Sequence, residues 1–154
     1  MNRLNILILS GGLSYPIDDG AKLILFNLLK RLSTLHNITL LTLINSEDEK
    51  KYIPYINKYC RIETFMHKIR NTSFSRLRYM FSPLPYGINL HFNKQLMRRL
   101  KELVGREHFD IVQAQGLHMG HYLTGLGKIF KIIYAIDCDS LITYRRMKKA
   151  GLYQ

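Results

Sequence analysis

The chain alternates short, continuous apolar runs with stretches of helical periodicity. Leu4–Leu9 is apolar on both faces and stops at Ser10-Gly11-Gly12, the pattern of a central parallel strand. Ala21, Ile24, Leu25, Leu28, Leu32 and Leu35 then recur at helical spacing. Leu23, Phe26 and Leu29 widen that stripe, so a helix over 21–35 is covered on more than one side. Ile38–Ile44 reads as the second strand. Strand, helix and strand within about forty residues make a βαβ unit, whose crossover is right-handed.

The same alternation continues. Ser46 is placed to cap a helix over 47–58 that carries Glu47, Asp48 and Glu49 in its first turn, although Pro54 weakens it. Arg61–Met66 reads as a third strand. Residues 67–92 are the least regular part, with Ser82-Pro83-Leu84-Pro85-Tyr86-Gly87 as a stiff turn or linker. Asn93–Arg106 is strongly helical, with Leu96, Met97, Leu100, Leu103 and Val104 as its stripe. Phe109–Ala114 is a fourth strand, 117–126 a short helix, Lys131–Ile136 a fifth strand and Ser140–Lys149 a last helix. The expected fold class is α/β, a Rossmann-like doubly wound parallel sheet.

Composition narrows the picture. At 154 residues, 47% hydrophobic and 22% charged, the sequence fits one globular domain and excludes disordered and fibrous classes. Its net charge of +12 directs it to anionic partners. Cys60 and Cys138 have no CxxC or CxxH companion, which argues against a structural zinc or a disulfide framework and fits a reducing cytosol. No apolar run approaches the 18 or more residues of a membrane span.

In open α/β sheets ligands bind beyond the carboxyl ends of the strands. Those ends supply Ser10, Gly11 and Gly12, then Gln113, Gln115, Gly116 and His118, then Asp137 and Asp139. Glycines after β1 let backbone N–H groups approach a ligand, but the loop is neither GxGxxG nor a P-loop. Asp18 and Asp19 would repel a phosphate. Asp19 is equally readable as the cap of the next helix or as a carboxylate holding a hydroxyl. His118 and His121 share one helical face, with no further metal ligand near them in sequence. Between Met66 and Arg106 stand nine cations, including Arg70, Arg76, Arg78, Arg98 and Arg99, against the single acid Glu102. Interleaved Tyr79, Phe81, Leu84, Tyr86 and Phe92 favour an anionic membrane surface over nucleic acid, beside the plain reading of a solvated face.

Several segments together resemble the opening of family 4 glycosyltransferases. These are Ser14-Tyr15-Pro16-Ile17-Asp18-Asp19-Gly20-Ala21-Lys22, Asn27–Leu32, His36–Leu41, Ser82–Tyr86, Phe109–Ala114, and Asp137-x-Asp139-Ser140-Leu141 with Tyr144-Arg145-Arg146. The resemblance implies the N-terminal, acceptor-side half of a GT-B architecture, with a C-terminal donor-binding half beyond this chain. It implies retaining, metal-independent sugar transfer without a cofactor, from a nucleotide-sugar to a lipid-linked or envelope polysaccharide acceptor, by a cytoplasmic protein peripheral to the membrane. This domain alone would be inactive. Gly11 and Gly12 would then approach the donor phosphates; Asp18, Asp19, Lys22, Gln115 and Asp137 would border the acceptor; His118 and Asp18 are the catalytic candidates. Where the family often carries His at the end of its fourth strand, this chain has Gln113 and Gln115. The alternative is a non-enzymatic basic membrane-surface or scaffolding module.

Overall fold

The computed structural model describes residues 2–68, 81–82, 86–135 and 139–149. Five strands form one parallel sheet: β1 (Asn5–Ser10), β2 (Asn37–Ile44), β3 (Arg61–Met66), β4 (Ile111–Gln115) and β5 (Phe130–Tyr134). Their spatial order is β3-β2-β1-β4-β5. The chain winds outward from β1 in both directions, so the fold is Rossmann-like and doubly wound, as the alternating pattern predicts. The reversal lies between β1 and β4.

Period-two alternation divides the strand residues between two cores. Leu7, Leu9, Leu41, Leu43, Val112 and Ala114 face α4 (Lys94–Arg106), which buries Leu96, Leu100 and Leu103 against them. Ile6, Ile8, Leu40 and Ile44 face α1 (Gly20–Leu32), which buries Leu25 and Leu29, and meet Ile56 of α2 (Ile53–Asn57). At the sheet's far edge β5 leaves Phe130 and Ile133 half or more exposed.

Three elements differ from expectation. The helix over 47–58 is a 3₁₀ turn, Glu47–Tyr52, followed by the short α2. Pro54 stands at the start of α2, where its missing N–H costs no helical bond, so it begins a new helix and does not interrupt one. The irregular stretch 67–92 contains a helix, α3 (Tyr86–His91), that sequence periodicity does not show because it is only six residues long. The expected short helix near 117–126 is a 3₁₀ segment, Leu117–Leu123. The last helix is α5 (Asp139–Lys149).

An ion network ties the β3 edge to α4. Arg99 donates from Nε and Nη2 to Glu63 at 2.7 and 2.9 Å, and Arg61 donates to both Glu63 and Glu107. The Arg99 guanidinium, helped by Arg61, holds the Glu63 carboxyl below the usual carboxylate range, against the opposing effect of partial burial. A depressed folded pKa stabilises the protein above the unfolded value near 4.5, and this contribution is lost as pH falls through the lower folded value. Urea unfolding followed from pH 7 downward is therefore expected to show a loss of stability below about pH 4.5. Glu63→Gln should be less stable at pH 7 and flatter across that window. Equal pH profiles for the two proteins would refute the coupling.

Candidate ligand cleft at the strand tips

A cavity of about 280 Å³ opens at the β1/β4 reversal. Its wall comprises Ser10, Gly11, Gly12 and Leu13 after β1, Asp19, Ala21, Lys22 and Leu25 of the α1 entry, His91 of α3, and Gln115 through His118 after β4. Parallel strands all end here, and the two loops diverge to opposite sides of the sheet, which leaves the gap.

The β1 loop is held by Ser10, whose Oγ donates to the Gly12 carbonyl at 2.7 Å. Gly11 is needed for close packing: a Cβ there would sit 2.8 Å from Nε2 of His118. Gly116 makes the opposite wall of the same slot. It adopts φ +90°, and its Cβ would lie 2.7 Å from Cε1 of His118. The His118 ring thus fits where two side chains are missing. Gly12 has open space where its Cβ would be and is the loop position with room for a ligand.

Asp19 caps α1, its Oδ1 accepting from the Lys22 N–H at 2.8 Å. Asp18 pairs with the Lys22 ammonium at 2.6 Å, and that bond lowers its carboxyl pKa. The helix N-terminus therefore already has a carboxylate, and the rim offers an acid and a paired base, not a bare anion site.

Gln115 is 5% exposed, and its Nε2 has no hydrogen-bond partner among the described residues, while its Oε1 accepts from Gln113 at 3.2 Å. His91 packs its ring 4.2 Å from that of His118. Burial, with the neighbouring His118 and His67 rings, pushes His91 down to about 4, so it is neutral near pH 7. Sequence reading missed His91 because α3 carries no usable periodicity. The signal available was a histidine one turn before a strong helix.

The structure thus brings Gly11, Gly12, Asp19, Lys22, Gln115 and His118 together, with Asp18 on the rim through Lys22. His121 separates from His118 and meets Phe92 edge-on, although the two share a helical turn. Asp137, Arg70, Arg76 and Arg78 lie outside the described residues. Of the remaining basic candidates, Arg98 is 80% exposed with a loose contact to Glu102, whereas Arg99 is turned to Glu63. Among the described residues no helix is long and apolar enough to cross a membrane.

No family model and no curated protein matches the chain. Among solved structures it is similar to the U34-tRNA thiolase NcsA from Methanococcus maripaludis with its [4Fe-4S] cluster, at 11% identity and a TM-score of 0.43. The match covers 97% of this chain, which spans 58% of that one. The expectation of a glycosyltransferase is corrected here. The match is to a tRNA thiolase, and the other two comparisons supply no sugar transferase. Sugar transfer between a nucleotide-sugar and a polysaccharide acceptor is therefore set aside.

The expectation of a cofactor-free protein stands against the iron–sulfur cluster of that structure, which is a property of that protein. The residues of this chain do not fit such a cluster. Four thiolates are the usual ligand set, and the sequence has two cysteines. Cys60 is buried, which pushes its thiol up to about 12, far from the thiolate a cluster needs. Cys138 lies outside the described residues, among which no three His, Cys, Asp or Glu side chains group to hold a metal ion.

Proposed function

We propose that this domain binds a small polar molecule in the strand-tip cleft. The observation that carries the reading is the Gln115 amide, nine-tenths buried, lining the cavity with Nε2 unpaired. A buried donor without an acceptor costs about 1–3 kcal/mol, and a bound acceptor oxygen would recover it. The Asp19 carboxylate at the rim complements it as an acceptor for a ligand hydroxyl or amine. Leu13, Leu25 and Leu117 supply apolar walls, the mixture usual in small-molecule pockets.

Saturation-transfer NMR against polyols, hydroxy acids and nucleosides tests this. The expected result is a subset of hits whose signal falls at least tenfold in Gln115→Leu and weakens in Asp19→Asn. Absence of any hit, or hits indifferent to Gln115→Leu in a folded variant, would overturn the proposal.

A further inference from the structure

The outward face of α4 carries a row of cations. At about 100° of turn per residue, Lys94, Arg98 and Lys101 stand on the pole of the helix opposite Leu96, Leu100 and Leu103, which are buried against the sheet. The sequence interleaves these cations with Phe92, Met97 and Val104, but the fold draws all three against the core. The helix spends its apolar stripe inward and turns polar and charged groups to solvent.

The acids of this side are engaged elsewhere. Glu63 and Glu107 are held by Arg99 and Arg61. Glu102 lies 3.5 Å from Arg99 and 3.6 Å from Arg98, whose side chain is still 80% exposed. Lys94 and Lys101 are exposed and make no ion pair among the described residues.

We infer that this face of α4 is a docking surface for the phosphate backbone of nucleic acid, taken without regard to base sequence. The inference does not rest on the ligand cleft. From Lys94 to Lys101 the helix rises about 10.5 Å, a length over which one strand of a duplex presents about three phosphates, so three cations meet a similar number of charges. A row of this kind suits a linear polyanion, whereas a lone phosphate or carboxylate would engage one member of it. A lipid bilayer is the other extended anion. Lasting attachment there takes an apolar anchor beside the basic patch, and the apolar side chains of α4 are turned to the core. The row includes no aromatic side chain on which a base could stack, so the contact is with backbone. The net charge of +12 draws the same partner from a distance.

Fluorescence anisotropy of the full chain with a labelled oligothymidylate of about 20 nucleotides, and with a duplex of the same length, tests this. Binding to both is expected, weakening at least tenfold between about 50 and about 200 mM salt. Arg98→Gln with Lys101→Gln should weaken binding at least tenfold at the lower salt. The slope of log affinity against log salt should become shallower by about 2, roughly one per lost phosphate contact. The comparison is Lys30→Gln with Arg31→Gln, which removes the same charge from exposed positions in the last turn of α1 and should change affinity less than threefold. Far-UV circular dichroism establishes that both variants are folded. No binding at the lower salt, or equal losses in the two variants, would overturn the inference, the second outcome assigning the attraction to net charge alone. Cosedimentation with phosphatidylglycerol vesicles is the last arm: vesicle binding that the α4 variant abolishes, without oligonucleotide binding, would overturn it in favour of a membrane surface.

Discussion

Replacing Gly116 by alanine is expected to lower the unfolding free energy by about 2–4 kcal/mol and to expel the His118 ring from the cleft. Two costs combine. At φ +90° and ψ 151° the backbone lies in a region that essentially only glycine adopts, worth about 1–3 kcal/mol for any other residue. The new Cβ would also stand 2.7 Å from Cε1 and 3.1 Å from Nδ1 of His118. On the other side of the slot is Gly11, where an added Cβ would stand 2.8 Å from Nε2 of the ring. Urea unfolding measures the first effect and the His118 imidazole spectrum the second. Gly12→Ala is the control: nothing lies within 4 Å of its Cβ position, so a change within about 0.5 kcal/mol is expected. Equal stability of Gly116→Ala and Gly12→Ala would disprove the slot.

The second large effect concerns Tyr122, fully buried in the core under α4. Its hydroxyl accepts from the Asn93 N–H at 2.6 Å and donates to the His91 carbonyl at 2.8 Å. Burial pushes the phenol up to about 12, so it keeps its proton and goes on donating at any working pH. Tyr122→Phe preserves the packing and removes both bonds. It leaves a buried backbone N–H unpaired at the point where Asn93 caps α4, at an expected cost of about 1–3 kcal/mol. Because the same hydroxyl holds the carbonyl of His91, the His91 ring signal should shift as well. Unchanged stability would mean that water or another acceptor takes over, and an unmoved His91 would separate the junction from the cleft.

Much of this architecture was legible in the sequence because parallel strands, buried on both faces, must be apolar throughout. Leu4–Leu9 and Ile38–Ile44 could be little else. Boundaries slid by a residue or two where side chains, not periodicity, set the end. β4 begins at Ile111 because the Asp110 carboxylate accepts the Asn5 N–H at 2.7 Å. Asp19 was readable as a helix cap, and the structure uses it so. What stayed hidden was His91, because bringing it to His118 takes a junction fixed by Tyr122, twenty-nine residues beyond Asn93, and no local pattern encodes that bond. The sugar-transfer reading rested on motifs that are loose for a related reason. Loose loop motifs follow from the demands of a βαβ turn as much as from any reaction.

The central strand has a consequence for how the molecule comes into being. β1 is flanked on one side by β2, 32 residues later, and on the other by β4, where Ile6 pairs with Ile111. During synthesis the first pairing closes early, but the second waits until more than a hundred residues have left the ribosome. Through that interval a strand apolar from Ile6 to Leu9 stands with one ladder edge bare. Translation speed between residues 45 and 115, and chaperones that shield nascent strands, therefore bear on how long that edge stays open.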